Sequence, residues 1–497
     1  MKKIVIVGGG VAGLSAGIFA RKAGYEVEIY EKHSVVGGLC TGWSRKGFFI
    51  DNCVHWLTGT KQGTPLYKLW EDLGVLGDDI EVIHPEVFYT SELNGEKISL
   101  WKDLDRTEKE MLALSTEDEE EIRKFITYIR LAESLQMPID MPMDMMKPWE
   151  MISLGMSMKN MSKVMKEYGK ISIEDLSDRF KNPLLKNVMK DYMAKEYVAY
   201  SLLVSYATFT SGNGGIPRGG SLEMAQRMRK TLEDKGGIVY TNSNVLKIEM
   251  ESENKASGIC LADGTTVKAD YVICSCDTDF TFRKLIDEKY MDEKMKKTYD
   301  DRVNYPVNSG YQVAFAVDGT FEEVSDVLFF DCREIKVATQ TAKRMSIKNY
   351  SYEASFAPEG KTVIQCNFIQ YEKDYEYWKT QCEDKEKYKE TKENLAKEIL
   401  KRIEERFPQY AGKLEILDTW TPTTYNRYCN SYNGAYMSFI MTKDVGNTTF
   451  KGSIKGLDNV FIASQWLMGP GGLPTAAAMG KFSIQRILKK EKKSVKI

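Results

Sequence analysis

Histidine is nearly missing from this chain: 497 residues contain three, His33, His55 and His84. The nine cysteines show neither a CxxC pair nor Cys/His ligand spacing, so the sequence supports no metal centre. No Ser/His/Asp set and no paired carboxylates stand out either. Scattered cysteines, with Cys274 and Cys276 two apart on an apolar run, fit a reduced, cytoplasmic compartment rather than a disulfide framework. Net charge is also small: 69 Lys+Arg against 71 Asp+Glu leave −2, with no global pull toward nucleic acid. Internal repeats and long low-complexity segments are lacking. The uncharged stretch from Ile4 to Ala20 has glycine at its centre and is closed by Arg21 and Lys22, which does not read as a membrane anchor or secretory signal.

What is present begins at once. Lys2 to Glu31 reads as strand, tight turn, helix and strand, with Ile4 to Val7 a short apolar run and Gly8-x-Gly10-x-x-Gly13 at the turn. Gly8 permits the turn, Gly10 lets a pyrophosphate approach the backbone, and Gly13 with Gly17 lets the helix lie close on the sheet. A helix N-terminus offers free N–H donors and about half a unit of positive charge, which favours a diphosphate there. Glu31 ends the second strand where an acidic side chain accepts from a ribose 2′-OH, and its charge would repel a 2′-phosphate. The expected ligand is therefore FAD or NAD rather than NADP. No second Gly-x-Gly-x-x-Gly follows a strand anywhere, so a two-dinucleotide reductase is not expected.

At this length two domains are expected. Glu86 to Trp101 reads as a hairpin turning at Asn94-Gly95. Helices follow: one capped by Ser115 with Asp118 and running to about Leu135, one begun by Ser172 with Asp175, and one capped at Asn182-Pro183. Between them Met137 to Met165 holds ten of the chain's 24 methionines, a composition suited to lining a pocket for an elongated apolar ligand, to a lid touching lipid, or to an ordinary helical core. Gly212 to Ser221 is a glycine-rich hinge leading into a helix to about Asp234, and short strands follow with a turn at Asp263-Gly264. Strands at Tyr311 to Val317 and Thr362 to Tyr371, and a charged amphipathic helix from about Lys385 to Arg406, belong to a second insert. Val460 to Gly480 is a strand, a glycine and proline turn, and the start of a small-residue helix.

Taken together, these segments resemble the phytoene desaturase, carotenoid isomerase and retinol saturase group of FAD proteins, within the amine oxidase-like superfamily. The resemblance covers most of the chain. Its carriers are the Gly8/Gly10/Gly13 turn with Glu31, Gly37-Gly38, Asp51, Pro217-Arg218-Gly219-Gly220-Ser221, Asn244-Val245, Ala357-Pro358-Glu359-Gly360-Lys361 and Pro470-Gly471-Gly472-Leu473-Pro474. Gly38-Leu39-Cys40 stands where the group has Gly-Gly-Arg, and Gln465-Trp466 where an acidic residue is usual.

The resemblance implies an α/β fold, with a Rossmann-like FAD-binding domain (1–85, 212–299 and 441–497) carrying an inserted α+β substrate domain (86–211 and 300–440) of sheet plus helical lid. It implies that FAD is held by Gly8, Gly10, Val11, Ala12, Gly13, Glu31, Lys32, Gly37, Gly38, Leu39, Val245, Gly472, Leu473 and Pro474. It places the segments of His55, Tyr436 and Trp466 near the flavin as candidate catalytic residues, each of which serves equally well as a structural histidine or an aromatic wall. The implied activity is hydride transfer to or from carbon–carbon bonds of a long apolar unsaturated substrate, isoprenoid or fatty-acyl. Redox-neutral double-bond isomerisation, amine oxidation and a non-catalytic flavin-bearing lipid carrier are the alternatives. At ~0.8 kcal/mol per buried CH₂, drawing such a chain from water would exceed the roughly 20 kcal/mol ceiling on affinity, so it arrives from membrane or micelle. Peripheral membrane contact is thus expected, through the Met-rich segment or the basic tail from Leu488. No segment identifies an electron donor or acceptor.

Overall fold

The computed structural model describes residues 1–324 and 326–497. The strand Lys3–Val7 lies at the centre of a parallel five-stranded sheet, in the order Ile238–Tyr240, Glu26–Tyr30, Lys3–Val7, Tyr271–Cys274, Val460–Ile462. A central parallel strand is covered on both faces, which is why Ile4 to Val7 is continuously apolar. Ile4 and Ile6 pack under the helices Val11–Lys22, Gly220–Asp234 and Leu473–Lys490. Val5 and Val7 point the other way, toward the strands Val245–Ser252 and Lys255–Leu261 and the helix Glu293–Asp300.

A second, seven-stranded sheet runs Leu414–Trp420, Ser309–Val317, Thr362–Gln370, Gln340–Asn349, Val327–Val337, Val87–Leu93, Glu96–Trp101. Its strands come from segments more than 200 residues apart, joined by the parallel pairing of Leu328 with Thr90 and Phe329 with Ser91. The hairpin turns at Asn94 (φ 53°) and Gly95 (φ 87°), as the Asn-Gly pair requires. The charged helix Lys385–Arg406 covers the back of this sheet with Leu395, Ala396, Ile399, Ile403 and the buried Arg402, and most of its charged residues face solvent. A layer of helices between Leu104 and Thr210 buries a third core around Phe88, Phe125 and Tyr206.

One cap differs from the sequence expectation. Ser115 ends a helix, Leu104–Leu114, rather than starting one, and Asp118 precedes the next, Glu119–Ala132. The Asp118 carboxylate accepts from Ser115 Oγ at 2.8 Å and from the N–H groups of Lys181 and Asn182 at 2.7 and 3.0 Å, so it ties this turn to a distant one instead of capping its own helix. Ser172 with Asp175 and Asn182 before Pro183 do cap as expected. Among the described residues no helix is long and apolar enough to cross a membrane, and no group of three or more His, Cys, Asp or Glu could hold a metal ion.

Candidate functional site

The turn after the first strand opens into a cavity of about 1080 Å³ that runs between the two sheets. Of the residues expected to hold FAD or to act in catalysis, all but Gly13 line it: the glycine turn, Glu31 and Lys32, Gly37 to Leu39, Val245, the Gly472-Leu473-Pro474 helix start, and also His55, Tyr436 and Trp466. Gly13 sits behind the wall, where an added Cβ would lie 2.1 Å from the Gly8 carbonyl oxygen. Segments more than 400 residues apart in sequence thus face one space.

Two helices begin at this cavity without side-chain caps. Val11–Lys22 starts after Gly10 and Leu473–Lys490 after Gly472, neither with a capping side chain on its first N–H groups. Uncapped donors at a helix N-terminus attract a diphosphate or another electron-rich group. Beside the first, the Glu31 carboxylate is 6% exposed and accepts the N–H groups of Gly9 at 2.8 Å and His33 at 2.9 Å. Lys32 turns away: its ammonium donates to the Arg427 carbonyl at 3.0 Å and to Asn430 Oδ1 at 3.1 Å, and burial lowers its pKa. The Gly472 N–H donates to Gln465 Oε1 at 2.7 Å, so the glutamine before Trp466 fixes the second helix start.

The three candidate catalytic side chains have different surroundings. His55 lines the cavity with its side chain open to that space; the protein packed around it and the nearby Lys348 ammonium lower its pKa to about 4, so the imidazole is neutral at pH 7. Tyr436 accepts from Asn308 Nδ2 at 3.3 Å, and burial pushes its phenol up to about 12. Trp466 is 3% exposed and packs among Tyr299, Tyr432 and Phe439, with ring centroids 5.1 Å apart for the last pair, which makes it a wall.

Other residues at the site were not identified from the sequence. Ser275 Oγ donates to the carbonyls of Val7 and Gly8 at 2.9 and 2.6 Å, clamping the glycine turn from the neighbouring strand end. Tyr428 stacks on His33 with centroids 3.8 Å apart and closes the wall beside Glu31. Asp277, 5% exposed, has its pKa raised to about 7 by burial, while accepting from the N–H groups of Asp279 and Tyr432. The only signals for Ser275 and Asp277 were the strand ending just before them and, for Asp277, its N-cap chemistry.

A diphosphate at an uncapped helix start with a carboxylate at the next strand end fits a dinucleotide, and the second uncapped helix facing the same cavity fits a flavin ring. The sequence from residue 11 to residue 488 matches the family described as flavin containing amine oxidoreductase. The chain belongs to that family. Its cofactor is FAD, and it is an FAD-dependent oxidoreductase. Among curated relatives, 4,4'-diaponeurosporene oxygenase of Staphylococcus haemolyticus is 22% identical over 515 residues, covering 98% of this chain and 97% of that protein. The protein of that name from Staphylococcus aureus strain MW2 is 22% identical over the full length of both. Among solved structures, an oxidoreductase from Methanosarcina mazei superposes with a TM-score of 0.60 at 18% identity, covering 98% of this chain and 100% of that one. Wild-type putrescine oxidase bound to putrescine gives a TM-score of 0.58 at 14% identity, covering 98% and 99%. These likenesses show the shared fold.

Proposed function

We propose that this protein transfers hydride to or from carbon–carbon bonds of a long, apolar, unsaturated chain, isoprenoid or fatty-acyl. The observation that carries the reading is the continuity of one cavity from the dinucleotide turn to a methionine wall: Met137, Met143, Met158, Met161 and Met165 line the same space as Gly10 and Gly472. Unbranched thioether side chains fit a long flexible ligand without fixing one shape. The names of the two staphylococcal relatives, both oxygenases of a carotenoid, point to the same substrate class.

In this reading Gly8, Gly10, Val11, Ala12, Glu31, Gly37, Gly38, Leu39, Val245, Gly472, Leu473 and Pro474 hold FAD, with Gly13 and Lys32 shaping the turn and wall behind them. FAD, when bound, supplies hydride exchange at its flavin ring. The chain's own residues orient the substrate and exclude water: Trp466, backed by Phe439, walls the site, and neutral His55 and Tyr436 are two polar side chains facing it that can hold or pass a proton.

Delivery from a lipid phase belongs to the reading, since so apolar a chain has negligible solubility in water. The helix Pro148–Ser157 supports it. None of its residues is buried, and Trp149, Ile152 and Met156 are 62%, 64% and 69% exposed. Lys147 just before it and Lys159, Lys163, Lys166 and Lys170 in and after the next helix are exposed and form no ion pair among the described residues, a combination suited to an anionic membrane surface.

The test is anaerobic mixing of the FAD-loaded protein with isoprenoid polyenes and polyunsaturated acyl chains in micelles. Bleaching of the oxidised protein, or reoxidation of the prereduced protein, is expected with at least one of them. An unchanged flavin spectrum in both directions with every chain refutes the proposal.

A further inference from the structure

The cavity face of the seven-stranded sheet changes character across the strands. Val327 and Phe329 are apolar; next to them Lys348 stands across from Val327 on one side and Gln365 on the other, and Gln312 stands across from Asn367. Lys348 is 5% exposed and its ammonium is bound to the Asp326 carboxylate, itself 8% exposed. The pair sums to zero charge. An ammonium has three N–H donors; Asp326 takes one, the rings of Tyr350 and Tyr352 lie 5.8 and 5.1 Å from the nitrogen without accepting a hydrogen bond, and Lys348 lines the cavity, so donors are left for another partner.

Around this pair, other polar groups have hydrogen bonds to give. Neither ring nitrogen of His55 has a protein partner among the described residues, although its ring faces the cavity. Asn308, 4% exposed, donates to Tyr436, yet its carbonyl oxygen has no partner, and the same holds for the carbonyl oxygen of Asn367. Buried polar atoms are normally satisfied, and a hydrocarbon occupying this part of the cavity would leave these without partners.

We propose that this part of the cavity is a subsite for a neutral oxygen function, a hydroxyl or carbonyl, at one end of the substrate. The inference rests on the apolar-chain reading above and adds that the chain is amphipathic. Neutrality follows from Asp326: Lys348 is already balanced, and a carboxylate seated here would bury an uncompensated negative charge. Lys348 and His55 donate to the oxygen, and the Asn308 and Asn367 carbonyls accept from a hydroxyl.

The test compares three ligands of one chain length ending as a hydrocarbon, an alcohol and a carboxylic acid. Each is titrated into the FAD-loaded protein, with binding followed by tryptophan quenching, since Trp56 lines the cavity. The alcohol is expected to bind at least tenfold tighter than the hydrocarbon. That margin should shrink in His55→Phe and in the double variant Lys348→Met/Asp326→Leu, which removes both charges together and so leaves no buried ion unpaired. Equal binding of alcohol and hydrocarbon overturns the subsite, as does a margin that survives in both variants. Tightest binding by the acid overturns the neutral assignment. Failure of all three ligands to bind overturns the apolar-chain reading itself.

Discussion

Glu31 accepts the Gly9 backbone N–H at 2.8 Å, so the carboxylate at the second strand end also braces the glycine turn in which the helix dipole begins. Its other oxygen accepts the His33 N–H at 2.9 Å. One side chain thus sets the shape of the turn and the charge beside it. In Glu31→Gln an amide N–H₂ must face one of these two N–H donors. FAD affinity should fall roughly 10- to 100-fold, the equivalent of ~1–3 kcal/mol for a charge-assisted pair. Titration of the apoprotein with FAD, followed by flavin fluorescence, checks this; an unchanged affinity would remove Glu31 from the site.

Two glycines of the turn should respond differently to the same added methyl. At Gly13 a Cβ lies 2.1 Å from the Gly8 carbonyl oxygen and 2.6 Å from Ser275 Oγ, so Gly13→Ala must displace backbone. This variant is expected to lose thermal stability even without FAD. At Gly10 the nearest atom to a Cβ is the Gly37 carbonyl oxygen at 3.9 Å, so Gly10→Ala has room in the protein. The apoprotein melting point of Gly10→Ala should equal that of the parent, while the purified variant should be colourless or nearly so. Full flavin occupancy in Gly10→Ala would mean that the diphosphate lies elsewhere.

The dinucleotide turn was legible because its physics is local: an apolar strand, three glycines at fixed spacing and an acidic residue at the next strand end. Asp51 and the Pro217-to-Ser221 segment were legible only as separate motifs. In the fold they form one joint, the buried Asp51 carboxylate accepting the Ser221 N–H at 2.7 Å and the Cys53 N–H at 3.1 Å. A contact across 170 residues leaves no periodic trace in one sequence. Ser275 was invisible for the same reason, its partners lying on a strand that is adjacent only in the sheet. The methionine segment could be read as pocket, lid or core because composition does not give direction. The structure divides it, with Met158 and Met161 facing the cavity and Met151 and Met156 facing out.

Acid stability should depend on the far end of the chain. Glu491, just past the last helix, binds Lys2 at 2.8 Å and Lys493 at 2.6 Å and accepts from the hydroxyls of Tyr25 and Tyr271, each at 2.9 Å. Burial opposes its charge, but these four donors outweigh it and lower its pKa from 4.5 to about 2. A carboxylate whose folded pKa is depressed contributes its stability above the unfolded value, and that contribution is lost as pH falls from 4.5 toward 2. Glu491→Gln should lower the melting point at neutral pH by roughly 1–3 °C, after allowing for solvent screening of the ion pairs. The difference between variant and parent should shrink as pH falls through that window. A difference that stays constant with pH would mean that Glu491 acts through packing alone.

The exposed helix near the cavity supplies the last test. Trp149, Ile152 and Met156 lie within one helix and touch no core, so replacing all three by serine should leave the melting point unchanged. Each side chain buried in lipid would contribute about 1.5–3 kcal/mol, so the triple variant should partition into anionic vesicles at least tenfold more weakly in sedimentation. The surrounding lysines add attraction of ~1 kcal/mol each near an anionic surface, which predicts that the parent binds phosphatidylserine vesicles more tightly than phosphatidylcholine ones and is released by salt. If parent and variant sediment alike, the helix is not the contact. If the parent ignores vesicles of both kinds while its flavin still responds to polyenes in micelles, the substrate reaches the cavity by another carrier, and the exposed apolar face is left for a protein partner.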